Sequence, residues 1–91
     1  MPSALDLFGN EIRRLRTARG LSQEKLAELS AVHRNYIGRV ERGEKNTGFL
    51  YILKISIGLN LKPADLLKHM PKLTHADLPP EPKKKKGKKE K

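Results

Sequence analysis

A series of short helical patterns, each interrupted by a capping residue, a glycine or a proline, constrains the fold more than any other feature of the sequence. The first pattern places an apolar residue at every third or fourth position, namely Leu5, Phe8, Ile12 and Leu15. This spacing puts the side chains on one face of a helix. Because no segment alternates apolar and polar residues as a half-buried strand does, the sequence predicts an all-α domain.

Helix start and stop signals divide the chain into five predicted helices. Ser3 and Asp6 fit a capping box at the start of the first helix, and Ser22 is a favoured N-cap for the second. Gly20 and Gly43 suit the left-handed conformation that commonly follows a helix end. The predicted helices cover about residues 5–19, 23–30, 33–42, 48–59 and 63–70.

The composition of the chain changes at Pro71. With 91 residues the chain is long enough for one domain, and residues 1–70 contain all the helical patterns. Three further prolines follow Pro71, and seven of the last nine residues are lysine. Because such a segment has too little apolar surface to form a core, residues 71–91 are predicted to be a disordered basic tail.

Positive charge is shared between the two parts of the chain. The formal net charge is +10, of which residues 1–70 carry +5 and residues 71–91 carry the other +5. This distribution favours a polyanionic partner, with ordinary solubility charge as the alternative.

Several classes of function are disfavoured by what the sequence lacks. The chain has no cysteine, which excludes disulfides and thiolate metal sites, and His33, His69 and His75 lack the paired spacing of metal ligands. No apolar run approaches the roughly 20 residues of a membrane span, and the N-terminus has no signal-peptide pattern. The sequence predicts a soluble cytoplasmic protein with no membrane segment, no metal, no cofactor and no catalytic residues.

The predicted third helix, residues 33–42, combines an apolar back with a cationic front. Ile37 and Val40 mark the buried side. The opposite side carries Arg34, Asn35, Gly38, Arg39 and Arg42. A glycine inside a helix costs roughly 1 kcal/mol relative to alanine, so Gly38 indicates a backbone that approaches another surface closely. Since the major groove admits one helix, and arginine pairs with guanine and asparagine with adenine, this helix is predicted to lie in DNA.

The stretch QEKLAELSAVHRNYIGRVER, residues 23–42, resembles the helix-turn-helix of the lambda-type phage repressors and of the larger Xre family of bacterial regulators. Ala27 at the helix crossing, Val32 after the turn, and the buried pair of the third helix fit the pattern of that family. The similarity extends over about residues 9–67, and HRNYIGRVERGEKN is most similar to the small controller proteins of restriction–modification systems. The resemblance implies a compact five-helix, lambda-repressor-like domain of a bacterial or phage regulator that binds double-stranded DNA.

The resemblance also implies roles for individual residues. The base-reading positions fall on Arg34, Asn35 and, one turn later, Arg39. The residues expected at the DNA backbone are Ser22, Gln23, His33, Tyr36, Arg42, Lys45 and Asn46. For Tyr36, packing and phosphate contact are both open, and His33 at the start of the third helix either caps that helix or touches a phosphate.

Two further positions carry expectations about architecture. Glu41 faces the apolar side of the third helix, where a carboxylate is tolerated only when it is paired. The family joins this position to that of Arg16 by a salt bridge, with DNA contact as the alternative for Arg16. Ala31 occupies a turn position usually given to glycine, so a left-handed backbone there implies strain of roughly 1 kcal/mol. The acids Glu11, Glu24 and Glu44 are interpreted as solvated helix faces.

The predicted fourth helix is too apolar for one buried face. Its inward stripe is predicted to contain Phe49, Ile52, Leu53, Ser56 and Leu59. Leu50 and Ile57 form a second stripe that continues to Leu61, and such surplus apolar surface indicates an interface. Because helix-turn-helix repressors commonly dimerise to reach two successive major grooves, the sequence predicts a homodimer.

These features favour a sequence-specific transcriptional regulator, either a repressor or an activator. A restriction–modification controller or an antitoxin-type autoregulator is the first alternative. A nucleoid protein that binds any sequence through its lysine tail is the second, although phosphate binding alone requires no asparagine on the helix front. A protein-interaction module is the third, favoured only if the chain binds no duplex. The chain contains no candidate domain for a small-molecule ligand.

Overall fold

Five α-helices form the part of the chain that the computed structural model describes, residues 3–79. They are α1 (Ala4–Ala18), α2 (Gln23–Ser30), α3 (Arg34–Glu41), α4 (Phe49–Leu59) and α5 (Pro63–Leu67), followed by a short 3₁₀ turn at His75–Asp77. Within residues 3–79 there is no strand. The prediction of an all-α, five-helix domain is confirmed.

The helix ends follow the capping residues that the sequence contains. The Ser3 hydroxyl accepts the Asp6 N–H at 3.3 Å, and the Asp6 carboxylate accepts the Ser3 N–H at 3.0 Å, which completes the capping box. The Ser22 hydroxyl accepts the Lys25 N–H at 3.0 Å at the start of α2. Gly20 and Gly43 have φ of 68° and 74°, as expected for residues that end helices in the left-handed region.

The C-terminal part differs in detail from the prediction. Helix α5 ends at Leu67, three residues before the predicted end at Met70. Beyond Pro71 the structure contains the 3₁₀ turn, where the Asp77 carboxylate accepts the Thr74 N–H at 2.8 Å. The lysine-rich part of the predicted disordered tail, residues 80–91, lies outside the described residues, so that prediction stays open.

One apolar core unites all five helices. Its fully buried members include Ile12, Leu26, Ile37, Ile55, Leu59 and Leu66. Helix α2 packs on α3 and α4, while α1 packs on α3 and α5. Helices α1 and α3 approach so closely at Gly9 that a Cβ there would collide with the carbonyl oxygens of Val40 and Glu41. The back of α3 is therefore fixed against both α1 and α2.

The register of α4 differs from the predicted one. Phe49, which is predicted on the inward stripe, is 74% exposed, whereas Ile55, which lies outside that predicted stripe, is fully buried. Leu53 is only half-buried, and the buried residues of α4 are Ile55, Ser56, Gly58 and Leu59. The helix is apolar on nearly every side, so its period does not define which face is inward. Phe49 is the first residue of the helix, about 1.7 turns before Ile55, and therefore lies on a different face from it.

None of the helices within residues 3–79 combines the length and the apolarity that crossing a membrane demands.

The turn between α2 and α3 contains a strained alanine. Ala31 has φ 58° and ψ 44°, a left-handed conformation that places its Cβ near the following carbonyl oxygen. We expect Ala31→Gly to raise the free energy of unfolding by about 0.5–1 kcal/mol, because relief of this strain exceeds the entropy that glycine adds to the unfolded chain. For a domain of this size the melting temperature should rise by about 4–8 °C per kcal/mol, as measured by circular dichroism.

Gly20 provides the matched control, because it has φ +68° and open space around it. Gly20→Ala introduces the same strain without a clash and should lower the melting temperature. An Ala31→Gly variant that melts at or below the wild-type temperature would contradict the strain at the turn.

Candidate nucleic-acid interface

Helices α2 and α3 are held in a fixed crossing by a tight turn and a small residue. The Val32 N–H donates to the Ala27 carbonyl at 3.0 Å, and the left-handed Ala31 reverses the chain between them. Ala27 is buried at the crossing, and Ile37 and Val40 anchor the back of α3 in the core. The remaining side of α3 is thereby directed away from the core.

A polar depression lies between α3 and the first residue of α2. Its volume is about 310 Å³, and it is lined by Gln23, Arg34, Asn35, Gly38, Arg39 and Arg42. The structure thus brings together the three predicted base-reading residues, the predicted close-approach glycine and two residues expected at the DNA backbone. We call this surface the α3 depression.

Gly38 forms the floor of the α3 depression and is less exposed to solvent than the sequence suggests. It is buried, since a Cβ added there would lie 3.2 Å from Arg42 Nη1 and 3.7 Å from Gln23 Oε1. Only flexible side-chain ends cover the glycine, so a methyl group requires a small shift of Arg42. A longer side chain would have to displace both covering groups and fill the depression.

Two of the arginines in the α3 depression are paired with acids. Arg42 donates two hydrogen bonds to Glu44, from Nε at 3.0 Å and from Nη2 at 3.2 Å. This pairing lowers the pKa of Glu44 below its ordinary value. Arg34 Nε lies 3.6 Å from the Glu24 carboxylate, a looser contact. Glu24 and Glu44 are exposed, as their interpretation as solvated acids expects, but Glu44 lies after the end of α3 and each carboxylate contacts an arginine of the candidate interface.

Glu11, the third acid interpreted as solvated, is also engaged. Its carboxylate lies 2.7 Å from Arg14 and 3.1 Å from His69, and its side chain is largely buried. The hydrogen bond from Arg14 is the main cause that lowers the pKa of Glu11 to about 2. This contact joins α1 to the segment after α5, away from the α3 depression.

A buried ion pair lies directly behind the α3 depression. Arg16 Nε and Nη2 donate to the two carboxylate oxygens of Glu41 at 2.6 and 3.0 Å, and the side chains are 11% and 4% exposed. Arg16 also donates to the Leu21 carbonyl at 2.8 Å. Gln23 Nε2 donates to Glu41 Oε1 at 3.0 Å. One carboxylate therefore connects α1, α2 and α3.

The bond to Glu41 fixes the orientation of the Gln23 amide. One of its N–H groups is used internally, while Oε1 faces Gly38 at the floor of the α3 depression. The sequence indicated Gln23 as a backbone-contacting residue but gave no sign of this internal partner. An additional hydrogen-bond donor to Glu41 is nevertheless expected, because a buried carboxylate has more lone pairs than one arginine satisfies.

The other residues expected at the DNA backbone do not line the α3 depression, and Asn46 lines a separate apolar pocket beside α1 and α4. Ser22 commits its hydroxyl to capping α2, whereas His33 occupies the N-cap of α3 without making a side-chain capping bond. Asn46 is exposed. Lys45 Nζ lies 5.7 Å from the centre of the Tyr36 ring.

Tyr36 packs against Tyr51, a contact that the sequence does not predict. Its ring centre lies 4.5 Å from that of Tyr51 on α4, with the rings inclined by 40°. Burial raises the pKa of the Tyr36 hydroxyl. Lys54 Nζ in turn lies 5.0 Å from the Tyr51 ring centre. No local spacing relates residues on α3 and α4, so only the folded arrangement reveals this contact.

The apolar surface expected at a dimer interface is partly available. Leu50 and Ile57 are 59% and 72% exposed, and Phe49 adds to this surface. Leu61 is half-buried and packs against the core, so it contributes less surface than the sequence suggested.

No cluster of three potential metal-binding side chains occurs within residues 3–79.

The ion pair yields a stability prediction. Glu41→Gln leaves the Arg16 guanidinium buried without its counter-charge. The free energy of unfolding should therefore fall by about 3–5 kcal/mol. Thermal melting by circular dichroism should show a loss of tens of degrees or no folded state, given about 4–8 °C per kcal/mol. The control is Glu28→Gln, which removes the same charge from an exposed site on α2 and should melt like the wild type. Equal melting of the two variants would contradict a buried pair.

The α3 depression and its supports can be compared with known proteins. A helix-turn-helix family model (HTH_3) matches residues 12–66, a range that includes α2, α3 and α4. The chain is similar to control protein C.BamHI of Bacillus amyloliquefaciens, with 45% identity over 62 residues that cover 67% of this chain and 76% of that protein. It is also similar to control protein C.SmaI of Serratia marcescens, with 39% identity over 62 residues that cover 68% and 74% of the two chains.

A solved structure shares this arrangement of helices. The restriction-modification controller protein C.AhdI from Aeromonas hydrophila is 50% identical and superposes with a TM-score of 0.67, covering 68% of this chain and 94% of that one.

Proposed function

The chain belongs to the helix-turn-helix family and is a sequence-specific DNA-binding transcriptional regulator, and we propose that it binds a (pseudo)palindromic operator as a homodimer with α3 of each protomer in the major groove. The observation that carries this proposal is the α3 depression, where three arginines and one asparagine converge over a glycine floor.

The chemistry of the α3 depression suits base edges in the major groove. Guanine presents two acceptors there, O6 and N7, which an arginine engages with two parallel hydrogen bonds. Adenine presents one acceptor and one donor, which match the carbonyl and amide of asparagine. Arg34, Asn35 and Arg39 are the proposed base-reading residues, and Gly38 lets the helix approach the base edges closely.

Sugar–phosphate contacts are proposed for two residues that line the α3 depression and for five others that lie on α3 or in the segments next to α2 and α3. These are Ser22, Gln23, His33, Tyr36, Arg42, Lys45 and Asn46. Such contacts fix the register of the protein on the duplex without selecting its sequence. The N–H groups at the start of α2 supply further donors for a phosphate, beside the fixed amide of Gln23.

An enzymatic role is not part of this proposal. The similar proteins are regulators, and the α3 depression contains no nucleophile paired with a base. We place the protein in the cytoplasm of a bacterial or phage-infected cell, associated with the nucleoid, because that is where its proposed ligand lies. No small-molecule effector is required by the proposal.

The proposed dimer uses the exposed apolar face of α4. Leu50 and Ile57 lie seven residues apart and therefore share one side of the helix. A second protomer that covers this face would remove an apolar surface from water and would present two copies of α3. Two such helices reach successive major grooves when they lie about 34 Å apart.

A restriction–modification controller is the second candidate function. It is favoured by the names of the similar proteins, which are control proteins and a restriction-modification controller. The observation that tests it is genetic: an endonuclease or methyltransferase gene beside the gene for this chain would support it. If neither gene lies beside it, the restriction–modification hypothesis is contradicted, and the protein remains a transcriptional regulator of other genes.

The base-reading residues yield the first functional prediction. Alanine at Arg34, Asn35 or Arg39 should each cost about 1–3 kcal/mol of operator binding and relax the preference at one base position. Gln23→Ala should weaken binding to all sequences about equally, as loss of a phosphate contact does. The measurement is binding to a set of duplexes in which each operator position is varied in turn. Unchanged base preference in all three alanine variants would contradict the assignment.

Gly38 separates helix stability from groove binding. Gly38→Leu should remain folded, since the higher helix propensity of leucine offsets the displacement of the Arg42 and Gln23 side-chain ends, yet it should lose operator binding because its side chain fills the α3 depression. Gly38→Ala is the matched control and should retain binding, because its Cβ requires only a small shift of Arg42. Wild-type affinity of the leucine variant would show that α3 does not enter the groove as proposed.

The dimer prediction concerns the exposed face of α4. Leu50→Lys and Ile57→Lys should each give a folded monomer with weaker operator binding, because a charge at the interface opposes association. Sedimentation at about 50 μM measures the state of each variant, since dimer formation depends on concentration. Leu78→Lys is the control, as Leu78 is also exposed but lies outside α4. A monomeric wild type at this concentration would count against the dimer.

A further inference from the structure

A carboxylate lies among the cationic groups of the candidate interface. Glu44 accepts hydrogen bonds from Nε and Nη2 of Arg42, at 3.0 and 3.2 Å. The remaining terminal nitrogen of Arg42, Nη1, covers Gly38 at the floor of the α3 depression. Two of the three guanidinium nitrogens of Arg42 therefore donate to Glu44, and the third lies over the surface proposed to contact DNA.

The backbone turn at the end of α3 brings Glu44 to this position. The Glu44 N–H donates to the Arg39 carbonyl at 2.9 Å and the Gly43 N–H donates to the Val40 carbonyl at 3.0 Å, the two bonds of a Schellman motif. Gly43 has φ +74°, and a Cβ there would collide with the Asp6 carboxylate of α1. The turn is thus fixed by both its conformation and its packing, and it returns the chain beside Arg42.

The pair contributes little to the stability of the fold. The side chains of Arg42 and Glu44 are 59% and 50% exposed, and exposed ion pairs are screened by water and salt. For DNA binding, a carboxylate at this place is unfavourable, because it repels phosphates and neutralises an arginine. A glutamate carboxylate is ionised at neutral pH, and the hydrogen bonds from Arg42 lower the pKa of Glu44 further. An acid that neither stabilises the fold nor attracts the ligand requires another role.

We propose that Glu44 is a specificity-determining residue, which holds Arg42 back from isolated phosphates and so weakens binding to random DNA more than binding to the operator. This inference rests on the proposed function of the α3 depression. Specificity is a difference between two affinities, and a penalty on the wrong partner raises it as effectively as a new contact with the right one.

The discrimination follows from the geometry of the pair. Arg42 gives up two hydrogen bonds when it leaves Glu44. On the operator, α3 seats fully in the groove, so that a base edge or phosphate can offer two acceptors to the guanidinium at once. On random DNA the protein is held loosely by single phosphate contacts, which do not replace both bonds. Arg42 therefore keeps its hydrogen bonds to Glu44 on random DNA and replaces them with hydrogen bonds to DNA on the operator.

Glu44→Gln tests this inference in the full-length chain. The probes are a duplex of about 30 base pairs recovered by selection from genomic fragments, long enough for two half-sites one turn apart, and the same duplex with its base order scrambled. The variant should bind the scrambled duplex about three- to tenfold more tightly, with a salt dependence steeper by about 0.9 in log–log slope, because Arg42 becomes free to meet one more phosphate. Affinity for the selected duplex should rise by less, so the ratio of the two affinities falls.

Glu28→Gln is the matched control for net charge. Glu28 is exposed on α2, pairs with Lys25 at 3.5 Å and does not line the α3 depression. Its replacement should change both affinities by less than about twofold and leave their ratio intact. The second control is Glu44→Gln in an Arg42→Ala background, where the effect on the scrambled duplex should disappear.

The inference is overturned if Glu44→Gln raises both affinities by the same factor, weakens binding, or keeps its effect when Arg42 is alanine. These results differ from a failure of the proposed function. A wild-type protein with no preference between the two duplexes contradicts the proposed function and this inference together. A wild-type preference between the two duplexes that is undiminished in Glu44→Gln contradicts the inference alone.

Discussion

The buried carboxylate of Glu41 is the point on which the DNA-facing half of the structure depends. It accepts two hydrogen bonds from Arg16 on α1 and one from Gln23 on α2, while its own backbone belongs to α3. A desolvated charge is tolerated only where its partners are fixed, so the three helices cannot shift independently. The ion pair thereby fixes the relative positions of the helices that form the α3 depression.

This constraint matters because α3 is short. A helix of eight residues is unstable in isolation, and its stability comes from packing rather than from its own hydrogen bonds. Ile37 and Val40 supply the apolar contacts, and the close approach at Gly9 brings α1 against the backbone of α3. The front of α3 can consequently carry groups chosen for DNA, including a glycine that lowers helix propensity.

The proposed interface contains groups that attract DNA and acids that repel its phosphates. Two arginines and an asparagine provide the groups proposed to read base edges, while Glu24 contacts one of those arginines, Arg34, and Glu44 pairs with Arg42, a proposed phosphate contact. An exposed acid beside a cationic groove lowers affinity for any phosphate, and only a partner with well-placed acceptors compensates for it. Specificity in this account arises from both sets of groups.

The sequence predicted those features that depend on local chemistry. The capping box at Ser3 and Asp6 and the cap at Ser22 have local hydrogen-bonding causes, so their positions were readable from a few residues. The register of α4 was not readable in this way, because a helix apolar on nearly every side has no preferred face, and Phe49 was misassigned in place of Ile55. That choice is made by the tertiary packing of α2 on α4.

Side-chain partners were the hardest features to predict. Hydrogen bonding joins Gln23 to Glu41 across two helices, and packing joins Tyr36 to Tyr51 across two others. Neither contact follows from helical spacing. The pairing of Glu44 with Arg42 depends on the left-handed Gly43 between them, so the sequence alone does not show that this exposed acid contacts an arginine of the candidate interface.

Methylation protection tests most directly whether α3 occupies the major groove. Dimethyl sulfate attacks guanine N7, an acceptor in the major groove, and adenine N3, an acceptor in the minor groove. With the protein bound to its selected duplex, guanine N7 should be protected in two clusters about one helical turn apart, and adenine N3 should remain reactive between them. Protection of adenine N3 with guanine N7 fully reactive would contradict the account, because the protein would then lie in the minor groove.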